Sequence, residues 1–355
     1  MIVIDGSMGE GGGQILRTSI ALSALTLKPI KIINIRAKRS NPGLRPQHLI
    51  AIKAVASLCN AKVEGLNVGS REVTFMPHEH VGGNFKFDIG TAGSISLVLQ
   101  AVLTVAAFLP EKSRFIIRGG TDVPWSPPID YVKNVLIPTL KTLGFQVELK
   151  VLRRGHYPRG GGIVEVTTIP VDVLRSINVV SRGRILEIKG LSHAVRLPRH
   201  VAERQAKAAF EHLRRLGIKE SIHIDTEYYD PSRDPHLGPG SGIVLWALTS
   251  ENTVIGADAL GARGKPAEVV GKEAAEKLFS ELSTNMAFDS HIGDMLIPYI
   301  AVAKGASRIG VSKLTLHAIT NILVTEKILN VKFHIEGEKD KPSVISVKGL
   351  GLSFS

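Results

Sequence analysis

The sequence predicts an α+β fold made mostly from one unit used three times, with a small α/β module inserted between the second and third copies. Two observations carry this reading. A pattern of apolar helix, strand, second helix and strand pair recurs three times along the 355 residues. The stretch 181–281 breaks that pattern with a strongly charged helix and strands of its own. Helices are read from apolar residues at i, i+3 and i+4, and strands from short β-branched alternation between Gly or Pro breaks.

Residues 2–5, Ile-Val-Ile-Asp, read as a short opening strand. The first copy then places a helix over 13–25, a strand over 31–35, a helix over 46–58 and strands over 61–68 and 72–77. The second has helices over 92–107 and 129–143, with strands over 113–118, 146–153 and 162–169. The third has helices over 293–303 and 316–329, with strands over 308–311, 330–336 and 343–347. A small helix–sheet unit cannot hide its inner face alone, so three packed together share a core. The insertion carries a helix over 201–216, strands over 221–226, 243–250 and 254–257, and a helix over 266–282. Linkers at 181–183 and 283–285 divide the chain into a large domain of 1–180 plus 282–355 and a small one of 181–281.

Hydrophobic residues at 44% and charged residues at 21% match an ordinary soluble globular protein. Forty-four Lys and Arg against 32 Asp and Glu leave a net charge of +12. That balance favours a polyanionic partner such as nucleic acid, through counterion release. Cys59 is the sole cysteine, so neither a disulfide framework nor a Cys-based zinc site can be built. It ends an apolar helical run and reads as packing. Met1-Ile2-Val3-Ile4-Asp5-Gly6 does not resemble a signal peptide. The longest apolar stretch, 97–109, contains Gln100 and is too short to cross a bilayer. The expectation is a cytoplasmic protein without membrane contact; its oligomeric state leaves no mark in the sequence.

Several segments carry chemistry. Gly6 to Gln14 is a glycine-rich loop between a strand and a helix, where free N–H groups and the helix dipole favour an anion. It is neither a Walker A loop nor a dinucleotide fingerprint, and by residue type alone it fits a generic turn as readily. Arg36, Lys38, Arg39 and Arg45 place four cations in ten residues ahead of Gln47-His48. Guanidinium forks suit phosphate oxygens, and without aromatic side chains the loop reads nucleic-acid backbone rather than bases. Gln100 interrupts an apolar helix and needs either a structural partner or a ligand. Asp289-Ser290-His291 has metal-type spacing, but no further ligand lies nearby in sequence. His317 falls in the first turn of the 316–329 helix, where the positive helix end keeps an imidazole neutral and able to attack. The same end would stabilise a phosphoryl group once attached. The run from Arg154 to Val164 sets three glycines and a proline among cations, which on composition alone is a hairpin with a solvated basic tip.

The spacing of Arg154, Gly155, Pro158, Gly160, Gly161, Gly162 and Val164 resembles the signature of the RNA 3′-terminal phosphate cyclase family. So do Gly9-Glu10-Gly11-Gly12-Gly13-Gln14, the Arg36 to His48 loop, Thr91-Ala92-Gly93-Ser94 with Gln100, the Gly119 to Pro128 block, and His317 followed by Thr320-Asn321. The resemblance implies a large domain of three βαβαββ-type repeats, each with two helices packed on a four-stranded sheet, and a small inserted α/β domain. It implies that His317 attacks the α-phosphate of ATP to form a histidyl–AMP. AMP then passes to an RNA 3′-terminal phosphate, and the 2′-hydroxyl closes a 2′,3′-cyclic phosphate.

By the same resemblance Glu10 holds the ribose or the nucleotide's metal, Mg²⁺ or Mn²⁺. Gln14, Arg17 and Gln100 contact phosphates, and Pro127 lines an adenine pocket. His291 stacks on adenine at a position that is tyrosine in some relatives, and Asp294 is a carboxylate beside the catalytic histidine. Arg36, Arg39, Gln47 and His48 hold the RNA terminal phosphate, so Arg39→Ala should weaken RNA use while sparing self-adenylylation. One alternative is a non-catalytic cyclase-like RNA-binding factor in ribosome assembly, but such relatives lack a histidine matching His317. Another is an enolpyruvate transferase on a related triplicated fold, which Glu10, Gln100, Asp294 and His317 disfavour.

Overall fold

The computed structural model of the chain describes residues 1–354. In the first repeat β1 (Ile2–Asp5) leads through α1 (Gly13–Thr26) to the parallel strand β2 (Ile30–Ile33). α2 (Pro46–Ser57) then leads to β3 (Lys62–Glu64) and β4 (Val73–Met76), and β4 inserts antiparallel between β2 and β3. The sheet order is therefore β1-β2-β4-β3.

The second repeat has the same topology. β5 (Asn84–Asp88), α3 (Ile95–Ala106), β6 (Ser113–Gly119), β7 (Gln146–Arg153) and β8 (Gly162–Ile169) give the order β5-β6-β8-β7. Its second helix is one rod in three parts: α4 (Ile129–Tyr131), a π-helical turn (Val132–Leu136) and α5 (Ile137–Thr142). Pro138, which has no N–H to return to residue 134, sits where the π turn resolves.

The third repeat opens with β9 (Asn178–Val179) and is at once interrupted. The interruption contains β10 (Ile185–Val195), α6 (His200–Arg215), β11 (Ser221–Tyr228), β12 (Gly240–Thr249), β13 (Val254–Leu260) and α7 (Ala267–Ser283). Its sheet order is β11-β10-β12-β13. The repeat then resumes with α8 (Ser290–Met295), α9 (Ile297–Val302), β14 (Lys304–Val311), α10 (Leu316–Leu329), β15 (Phe333–Glu336) and β16 (Ser343–Leu350). β9 pairs parallel to β14, and the order β15-β16-β14-β9 repeats the first two sheets. The single helix expected over 293–303 is two short ones, with Pro298 in the first turn of the second.

Helices α1, α3 and α10 pack at the centre of one core shared by all three repeats; α1 buries Ile15, Leu16, Ile20, Leu22 and Leu25 almost completely. The interrupting unit has a second apolar cluster between its sheet and α6 and α7, including Ile188, Leu213, Leu245 and Leu278. The other face of that sheet, through Val244, Trp246 and Val254, joins the main core. Gly256 permits this approach, because a Cβ there would lie 2.6 Å from a Val135 methyl and 2.8 Å from the Tyr131 ring. Among the described residues no helix is long and apolar enough to cross a membrane.

Candidate active site

A cleft of about 720 Å³ opens where the first turns of α1, α2, α3 and α10 converge. Every residue expected to contact nucleotide or RNA phosphate stands on its wall. The first repeat contributes Glu10, Gln14, Arg17, Arg36, Arg39, Gln47 and His48. The second contributes Gln100 and Pro127, and the third His291, Asp294 and His317. Converging helix N-termini present unpaired N–H groups and positive dipole ends, an arrangement suited to a polyphosphate.

His317 is the second residue of α10 and is half-buried. The N-cap Thr315 accepts from Ala318 N–H (2.9 Å) and donates its hydroxyl hydrogen to Asp294 Oδ1. Burial, with Arg17, His291 and Arg39 nearby, lowers the His317 pKa, so the ring is neutral at pH 7. Its Nδ1 is buried without a hydrogen-bond partner, 3.7 Å from Glu10 Oε2, which is also buried and unpartnered. Glu10 ion-pairs with Arg39 on its other side. The Glu10 N–H donates to Thr320 Oγ1 (3.1 Å), and Asn321 joins Thr18 to the Asp294 carbonyl (2.6 and 2.9 Å). Thr320 and Asn321 thus lock α10 to the glycine loop and to α8. Burial raises the Asp294 pKa to about 7 despite the Thr315 hydrogen bond.

The cleft is cationic in a specific way. Among the described residues Arg17, Arg36 and Arg45 have no carboxylate partner. Burial alone lowers the Arg17 pKa to about 10, so this guanidinium remains charged with nothing opposing it. His48 is buried and its pKa falls to about 3, through burial first and then Arg17, Arg36 and Arg45. Its Nδ1 accepts from the Arg45 N–H (3.0 Å), which leaves the ring proton on Nε2 as a donor. The Gln100 amide bonds no described protein group, so the structural partner that its position allowed is absent.

A model of the family described as RNA 3′-terminal phosphate cyclase matches residues 8–335, a span containing all of these wall residues. The chain belongs to that family. A protein of Ignicoccus hospitalis named RNA 3′-terminal phosphate cyclase is 57% identical over 351 residues, covering 99% of both chains. Proteins of the same name from Staphylothermus marinus (57% over 356 residues) and Hyperthermus butylicus (56% over 354 residues) cover 99% of this chain and 99% and 98% of their own.

The cyclase signature loop does not reach the cleft. None of Arg154, Gly155, Pro158, Gly160, Gly161 or Gly162 lines it; Tyr157, Pro158 and Arg159 form an exposed tip, but Arg154 and the four glycines are buried. Arg154 is 2% exposed. It donates to Asp130 (2.6 Å) and, through two nitrogens, to Glu227 of β11 (2.9 and 2.7 Å), with Asp122 at 3.4 Å. Burial would raise the Glu227 pKa, but Arg154 prevails and holds it at about 2. At Gly155 a Cβ would lie 2.5 Å from the Gly119 carbonyl, and Gly160 adopts φ 60 against Ala92. The glycines are there for backbone contact, and the loop fastens the second repeat to the interrupting unit.

That unit also adds residues to the cleft that the motifs missed. Gly256, Ala257 and Asp258 of β13, with Lys277 and Glu281 of α7, complete one wall. Glu281 is fixed by the hydroxyls of Ser290 (2.8 Å) and Ser312. Trp125, 98% exposed on a left-handed backbone (φ 63), stands at the rim. The five residues of the interrupting unit carry no local signal beyond their residue types, because topology alone brings them there, whereas Trp125 lies within the Gly119 to Pro128 block.

Proposed function

We propose that this chain is a cytoplasmic, ATP-dependent enzyme that converts an RNA 3′-terminal phosphate to a 2′,3′-cyclic phosphate through a histidyl–AMP. The observation that carries this is a neutral His317 whose Nδ1 is buried facing Glu10, leaving Nε2 to face a cleft containing unopposed guanidinium groups. In the first step Nε2 forms a bond to the α-phosphorus of ATP and pyrophosphate leaves. Positive charge grows on the ring, and Glu10 offsets it from 3.7 Å. An oxygen of the RNA 3′-phosphate then takes AMP, and His317 leaves as neutral imidazole. Finally the adjacent 2′-hydroxyl attacks the terminal phosphorus, loses its proton and expels AMP. Orientation supplies much of the advantage in that intramolecular closure.

Arg17, Gln14 and Gln100 suit the ATP phosphates, Pro127 and His291 the adenine, and Arg36, Arg39, Gln47 and the Nε2–H of His48 the RNA phosphate. The unpartnered Glu10 Oε2 fits a hard cation, so Glu10 would hold Mg²⁺ or Mn²⁺, which would neutralise phosphate charge. The test is incubation with α-labelled ATP and Mg²⁺. An acid-labile, alkali-stable protein adduct, absent in His317→Ala and discharged by RNA bearing a 3′-phosphate, is expected. No adduct, or label retained in His317→Ala, overturns the reading; a non-catalytic RNA-binding factor and an enolpyruvate transferase both give none.

A further inference from the structure

Outside the cleft, three ligand-type side chains converge in a fully buried place. They are Asp122 in the turn after β6, His156 in the signature loop and His193 in β10. One donor atom from each lies within 4.8 Å of the others. The two imidazoles meet Nε2 to Nε2 at 3.0 Å, and His193 Nε2 is 3.9 Å from Asp122 Oδ1. Asp122 Oδ2 is satisfied by the Thr121 hydroxyl (2.6 Å) and Arg154 (3.4 Å). Oδ1 of the same carboxylate is buried with no partner.

A hydrogen bond between the imidazoles accounts for their approach but leaves that oxygen bare. An unsatisfied buried acceptor costs about 1–3 kcal/mol, and more when charged. A cation between the three groups accepts both nitrogen lone pairs and the oxygen at once. We propose that Asp122, His156 and His193 bind one divalent transition cation of the zinc type. Two imidazoles and one carboxylate are a donor set for Zn²⁺ or Co²⁺, whereas Mg²⁺ prefers an all-oxygen shell. The fourth position is open to water, and the neighbouring His236 acts electrostatically on both His156 and His193. The His236 imidazole is buried with Nε2 unpartnered and Nδ1 held by Asp234 at 2.7 Å. A carboxylate on the second ring nitrogen is how metal-binding histidines are commonly oriented. The cation would join the second repeat, the signature loop and the interrupting unit at one point, beside the Arg154 network. Its role is structural, because none of the three ligands lines the cleft.

The experiment uses full-length, tag-free, nucleotide-free protein, stripped with a chelator and kept in excess Mg²⁺ to occupy oxygen-ligand sites. Co²⁺ is titrated into one portion while visible absorption is followed; a second portion is reloaded with excess Zn²⁺, and the Zn²⁺ it retains is measured by elemental analysis after gel filtration. One equivalent of retained Zn²⁺ and the intense ligand-field bands of low-coordinate Co²⁺ are expected. His156→Phe and His193→Gln should each weaken Co²⁺ binding by at least about tenfold. Both variants should still form the labelled adduct with ATP, which shows that they are folded. Absence of retained Zn²⁺ in the wild type overturns the proposal, as does unchanged Co²⁺ binding in both variants. If neither variant folds, the wild-type stoichiometry and spectrum decide by themselves.

Discussion

Arg39→Ala tests how the cleft sets the charge of His317, the proposed nucleophile. Arg39 acts on His317 in two ways: its own charge lowers the imidazole pKa, and it neutralises Glu10. Removing it withdraws a cation and frees a carboxylate 3.7 Å from Nδ1. Both changes favour imidazolium. Two unit charges at that separation interact by about 1 kcal/mol in a water-like medium, the appropriate limit for a half-exposed ring, or roughly five- to tenfold in protonation. Attack in the proposed reaction needs the neutral ring, so the variant should reach a higher pH before self-adenylylation levels off. The assay is single-turnover adduct formation from α-labelled ATP across pH 5 to 9. The midpoint should move alkaline by somewhat under one pH unit, with plateau rates nearly equal. Use of RNA 3′-phosphate should fall at every pH. A midpoint that stays or moves acid would refute the claim that Arg39 and Glu10 set the ring's charge. Uniform loss of adenylylation at all pH values would mean instead that Arg39 serves ATP.

Thr315→Val removes the N-cap of α10 and the donor to Asp294, and should cost about 1–2 kcal/mol, read as a lower midpoint in urea. Gly155→Ala puts a methyl against the Gly119 carbonyl and should destabilise by about 1–3 kcal/mol or prevent folding, measured the same way. The Glu227 pKa is depressed to about 2 in the folded state, so its contribution is full above the ordinary value near 4.5 and lost as pH falls through 2. Glu227→Gln should therefore be less stable than wild type by about 3 kcal/mol at pH 7, with the gap closing in acid; a gap independent of pH would contradict the ion pair.

The sequence was most legible where local pattern and tertiary role agree. α10 over 316–329 and β7 and β8 over 146–153 and 162–169 begin and end where periodicity and glycine breaks place them. The strands that escaped are β5, β9 and β10. β9 has two residues, and β5 is a half-exposed edge strand. β10 is central but contains Gly190, needed because a Cβ there would lie 2.6 Å from Leu245. The wall residues were visible as motifs, yet their pairings were not. Glu10 meets Arg39 and His317 through tertiary folding, and nothing around Arg154 in sequence announces Glu227. Without those distant carboxylates the signature loop looks basic throughout, although Arg154 is buried and paired and only Arg159 is exposed.

The repeat explains why the cleft lies where it does. Each βαβαββ unit has two connections from a strand to the start of a helix, and ligands on parallel βα layouts collect at the carboxyl ends of strands. Here β1 to α1 supplies Glu10, β2 to α2 supplies Arg36, Arg39 and Arg45, β6 to α4 supplies Pro127, and β14 to α10 leads to His317. β5 to α3 leads into the helix that carries Gln100. The remaining connection, β9 to α8, contains the whole interrupting unit. An insertion at the opposite, strand-entry end of a repeat would project away from the cleft. Placed in a βα connection, it instead delivers Gly256, Asp258, Lys277 and Glu281 to the wall and returns the chain at His291. The three repeats share one topology but contribute different chemistry: arginines and a glycine loop from the first, an amide and a proline from the second, imidazoles and a carboxylate from the third. Triplication thus supplies the geometry of convergence, and divergence at the six strand-to-helix connections supplies a site that no single repeat could form.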